Sequence, residues 1–184
     1  MNFMLVGVLF LAVTLNFPSP WGGNFDLAPD FVGYLLIAHG AKEVNHWSKH
    51  FRKIEKTGIL FAIYAGLTWA RNGFNFMAGQ NVTMNFIVDL LEVAVQLWVQ
   101  MWIFRGVHAV ELQTDFELRA SVMKYIWIGM VVMNLINVVA YFFPPVIREI
   151  CGIAAMVVGI GYIIAFFVCK CHYDDAMAEL AEEK

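Results

Sequence analysis

The chain has 184 residues, of which 60% are hydrophobic and only 15% charged. A water-soluble domain carries about 25% charge, so this composition excludes one. A net charge of −3, with no basic region outside the apolar runs, argues against a nucleic-acid partner. The apolar residues gather into long runs, some reaching the roughly 20 residues a helix needs to cross about 30 Å of hydrocarbon. They predict an all-α fold: a polytopic membrane bundle of about six transmembrane helices in the lipid bilayer.

The first predicted span covers 2–17. Its stretch "FMLVGVLFLAV" has the length of a signal-peptide core, yet no Lys or Arg precedes it and no A-x-A site follows, so it reads as a retained helix. The second, 28–42, is short enough to be tilted or partly re-entrant. Asp26 can cap its outer end, Pro29 fits a first turn, and Asp30 gains from the positive end of the helix dipole. The face behind Asp30 continues as Gly33, Tyr34, Ile37, Gly40 and Ala41, a stripe that admits a close neighbour.

The third span, 57–76, places Tyr64, Thr68, Arg71 and Asn75 within an arc of about 60°. The fourth, 83–104, gathers Asn85, Asp89, Glu92, Gln96 and Gln100 within about 80°, with Trp98 and Trp102 on the opposite side. The fifth, 123–143, aligns Trp127, Met130, Asn134, Asn137 and Tyr141. The sixth, 147–169, carries Cys151, Ala155 and Gly159 as a packing seam. Residues 1–169 therefore form one transmembrane domain, and 170–184 an acidic, solvated helical tail.

Charge orients the spans. Ten of the 12 Lys and Arg residues lie between spans two and three, between spans four and five, or after span six. The positive-inside rule makes that side, and both termini, cytoplasmic.

The segment Asp26, Pro29, Asp30, Phe31, Val32, Gly33 and Tyr34, a D-x-x-P-D-F-V-G-Y pattern, resembles one in small multi-pass membrane proteins of Gram-positive, largely anaerobic bacteria. There it usually reads L-P-D-F-I-G-Y; here Ala28 replaces the leucine. The resemblance covers about ten residues and implies a bacterial plasma membrane without implying an activity.

Two carboxylates and three amides on one stripe cannot face hydrocarbon, since a charge at the bilayer centre costs about 3 kcal/mol even on a lenient scale. By helical rise, Asp30, Arg71, Asp89, Glu92, Asn134 and Asn137 share a level in the outer half of the membrane. Three acids facing one base leave about two negative charges to be met by protons or a cation. Gln96 extends the stripe, and Tyr64, Trp127 and Tyr141 can wall a small cationic solute. A transporter, or its substrate-capturing subunit, is the first reading. The size and six spans are also similar in plan to the substrate-binding subunits of energy-coupling-factor vitamin transporters. Their A-x-x-x-A motif is missing, because Ala12 has Val8 and Asn16 at those offsets.

Two other readings stay open. In one, the polar cluster only pairs helices in a non-catalytic assembly or immunity factor, with a second copy or another membrane subunit as partner. In the other, His46, His50, His108 and Glu111 form a cytoplasmic metal site in a membrane enzyme. The pattern H-x-x-x-H lacks the glutamate of H-E-x-x-H, and solvated side chains explain it more simply. "CKCH" at 169–172 sits at the membrane boundary, and "NVT" at 81–83 is a glycosylation sequon irrelevant to a bacterial host. No P-loop, Rossmann, G-x-S-x-G or zincin motif appears, so nucleotide hydrolysis is not expected, no cofactor is called for, and an enzyme is the less favoured reading.

Overall fold

The computed structural model describes residues 1–12, 16–18, 24–74, 82–140 and 142–182. Six helices dominate: α1 (Asn2–Ala12), α2 (Asp30–Glu43), α3 (Lys49–Phe74), α4 (Val82–Thr114), α5 (Ala120–Ala140) and α6 (Pro145–Glu182). Between α1 and α2 a two-stranded antiparallel ribbon pairs β1 (Asn16–Pro18) with β2 (Asn24–Asp26), in the register Phe17↔Phe25. The chain divides within α4 into two compact units, Met1–Val99 and Gln100–Lys184.

In the first unit, α1 and α2 run antiparallel at very close range. A Cβ on Gly7 would stand 2.6 Å from the Gly33 carbonyl oxygen, and one on Gly40 would stand 2.6 Å from the Met4 nitrogen. Only glycine fits at these crossings. The stripe predicted for the second span is this contact surface: Gly33, Tyr34, Ile37, Gly40 and Ala41 are all buried. The adjoining side of α2 meets α3, where a Cβ on Gly58 would lie 2.8 Å from that of Ala38. The Ser48 hydroxyl accepts the His50 N–H at 3.1 Å and so caps the start of α3. Trp69 ties β2 to α3: its indole N–H donates to the Asp26 carbonyl at 2.9 Å, and its ring meets Phe31 edge-on.

Several sequence expectations change here. The first span, expected over 2–17, ends as a helix at Ala12, and Asn16–Pro18 is strand instead. At 1.5 Å per residue, α1 and α2 are about 16 and 21 Å long, short of the hydrocarbon thickness. Asp26 does not cap α2. The N-cap is Pro29, without a side-chain bond, and the Asp26 carboxylate accepts the Ala28 N–H at 3.0 Å in a turn ahead of the helix. Asp30 does occupy the first turn.

In the second unit α5 and α6 form a hairpin joined by the latter part of α4. A Cβ on Gly129 would stand 3.5 Å from a Val158 methyl, and one on Gly161 would stand 3.9 Å from an Ile126 methyl, both ordinary contact distances. The fully buried Tyr162 donates its hydroxyl proton to the Gln100 carbonyl at 2.9 Å. Gly159 is expected in a packing seam with Cys151 and Ala155, and among the described residues a Cβ added at Gly159 would meet nothing within 4 Å, so no neighbour is packed against this position. Asp115 and Arg119 take positive φ values of 55° and 60°, which turns the chain from α4 into α5 within a few residues. Glu111 completes that corner: one carboxylate oxygen accepts the Ala120 N–H at 3.2 Å, an orphan donor of the first turn of α5.

Among the described residues, three helical stretches are long and apolar enough to cross a membrane: Phe86–Thr114, Ala120–Ala140 and Pro145–Leu180, whose apolar 18-residue cores have mean hydropathies of 1.5, 1.7 and 2.4. Composition and these three helices, by their length and apolarity, point to a membrane protein.

Candidate functional site

The expected polar residues fall into two groups. Asp30, Tyr64, Arg71, Asp89, Glu92 and Gln96 belong to the first unit, whereas Trp127, Asn134 and Asn137 belong to the second. Tyr141 lies outside the described residues.

Within the first unit α2, α3 and α4 bring the charged residues into one electrostatic neighbourhood. Glu92 and Asp26 act on Asp30, and Asp89 and Arg71 act on Glu92. The Thr68 hydroxyl stands between two acceptors, the Ala65 carbonyl at 3.0 Å and the Glu92 carboxylate. Tyr64 lies in the fields of Glu92, Arg71 and Asp89, and its hydroxyl reaches the Val88 carbonyl at 3.5 Å. Asp30 and Glu92 are half-buried, and Asp89 is exposed. Along α4, Asp89 lies about 10 Å and Glu92 about 15 Å from the helix start at Val82.

Arg71 does not neutralise these acids by direct contact. Its Nε and Nη2 donate to the Asn72 side-chain oxygen at 3.2 and 3.0 Å. Among the described residues no carboxylate lies within 4.0 Å of its guanidinium. Further along α4, Trp98 meets Phe61 of α3 edge-on at 5.4 Å.

Gln96 has a structural duty. Its Nε2 donates to the Leu11 carbonyl at 3.2 Å, one of the carbonyls left without an intrahelical partner where α1 stops. Two groups that sequence reading leaves out of the site also reach it. Tyr34, one turn beyond Asp30, lies in the fields of Asp30, Glu92 and Tyr64, and Thr68 follows Tyr64 by one turn. Their i, i+4 spacing is the available signal.

In the second unit, Asn134 returns its side-chain N–H to the Met130 carbonyl of its own helix at 2.9 Å. Asn137 Oδ1 is buried with no hydrogen-bond partner among the described residues. The Trp127 ring packs on Phe104 at 5.5 Å.

The histidines are engaged locally. His46 lies against the Trp47 ring, and His108 Nδ1 is 3.2 Å from the Glu111 carboxylate whose other oxygen holds Ala120. Among the described residues no three His, Cys, Asp or Glu side chains are grouped to hold a metal ion. No protein-family model, curated protein or solved structure matches this chain.

Proposed function

We propose that the chain is a multi-pass plasma-membrane protein of the transport class, either a small transporter or a substrate-capturing subunit. Its net-acidic site lies in the outer half of the bilayer and takes a proton or a small cationic solute. Asp30, Asp89 and Glu92 carry the attraction, Arg71 limits their combined charge, and Tyr34 and Tyr64 offer aromatic edges. The observation that carries this reading is the imbalance around Glu92. Acids from two helices share its field, while the one nearby base is hydrogen-bonded to Asn72 instead. The bacterial host follows from the D-x-x-P-D-F-V-G-Y resemblance alone.

A second reading, an assembly factor whose polar groups only fix helix pairing, draws on the bond from Gln96 to Leu11. Thermal unfolding with a panel of small organic cations and across pH separates the two. The transport reading expects the melting temperature of the wild type to respond to a cation or to pH, and that of Glu92→Gln to lose the response. A wild type indifferent to both overturns it.

A further inference from the structure

We infer that the exposed face of α3 is a docking surface for anionic phospholipid, with Lys49, Arg52, Lys53 and Lys56 holding the headgroup and the aliphatic residues beyond them lying along the acyl chains. At 100° per residue these four cations fall within an arc of about 100°. All four are exposed. The same arc continues as Ile59, Leu60, Ile63 and Leu67, each more than half exposed. The buried residues Phe51, Ile54, Gly58, Ala62 and Ala65 occupy the opposite side, against the rest of the unit.

One uninterrupted face therefore changes from cationic to aliphatic between Lys56 and Ile59, after about 10 Å of basic surface. A free phosphate or an acidic peptide would match the charges but leave the aliphatic continuation unused. An anionic lipid matches both halves in the right order. The acid of this segment does not spoil the charge: Glu55 projects to the other side, where it accepts the Asn45 side-chain N–H at 2.7 Å. This inference requires the chain to lie in a membrane and is independent of the acidic site on α2 and α4.

The test uses the full chain in nanodiscs of phosphatidylcholine containing a minority of phosphatidylglycerol. Native mass spectrometry reads the enrichment of phosphatidylglycerol among the lipids that stay bound. Each basic residue near an anionic surface contributes about fivefold in partition. Each single change, such as Lys53→Gln, should lower the enrichment by about that factor, and the fourfold Gln variant should abolish it. High salt should reduce it in the wild type. Replacing the three lysines by arginine should preserve it, which guards against mistaking misfolding for lost recognition. Equal enrichment in the wild type and the fourfold Gln variant, or none in the wild type, overturns the inference.

Discussion

The pair α1–α2 and the pair α5–α6 are both helical hairpins, yet they are held by different means. α1 and α2 approach so closely at Gly7, Gly33 and Gly40 that an added methyl group would overlap backbone. Along α5 and α6, a Cβ on Gly129 or Gly161 would make only an ordinary contact, and one on Gly152 or Gly159 would meet nothing within 4 Å among the described residues. Length explains the contrast. A 21-residue α5 or a 38-residue α6 satisfies its own backbone across the hydrocarbon and needs little from a neighbour. An 11-residue α1 cannot, so protein must cover its face and receive its end. Gln96 does the latter at Leu11.

That contrast is sharpest at the glycines. Gly33→Leu should destabilise the reconstituted protein by about 3 kcal/mol, the upper range for overpacking. Gly159→Leu should stay within about 0.5 kcal/mol. Reversible unfolding in mixed micelles reads both, and equal effects would erase the distinction.

A smaller effect is expected at the corner of the second unit. Glu111→Ala removes a charged acceptor from the Ala120 N–H and should cost about 2 kcal/mol. His108→Ala, which leaves that bond in place, should cost much less. Comparable losses in the two variants would mean that the His108 contact, and not the Ala120 N–H, is what Glu111 serves.

The smallest change tests the receiving end of α1. Gln96→Leu keeps the side chain's bulk but removes its donor, and should cost about 1 kcal/mol. Hydrogen exchange should rise in the last turn of α1 and not in α5. Unchanged exchange there would show that the Leu11 carbonyl does not depend on Gln96.

The apolar runs of α4, α5 and α6 are legible in the sequence because hydropathy reports burial in lipid directly. The glycine stripe of α2 is legible because small residues at helical spacing have few other uses in a membrane. Helix ends are not. Arg105 and Lys170 read as boundaries, but a charge marks where lipid ends, and nothing in "RGVHAVELQT" or "KCHYDDAMAELAE" stops a helix. In the other direction, the apolar start of the chain gives no sign that α1 ends at Ala12 or that Asn16–Pro18 pairs as a strand, because hydropathy reports neither a helix end nor the pairing of a three-residue segment. Within the site, periodicity places Asp30, Thr68, Arg71 and Glu92 on compatible faces. It cannot foresee that Arg71 turns to Asn72, because a one-residue side-chain choice leaves no periodic trace.

In the proposed site, carboxylates outnumber their base around Glu92 and crowd one another while no ligand is bound. The sign of one stability change decides whether they do: the melting temperature of Glu92→Gln against wild type, in lipid at neutral pH with no added solute. A rise is expected, since the amide keeps the shape and relieves the crowding of like charges. A fall of several degrees would show that Glu92 is a structural partner, and would contradict the acidic site.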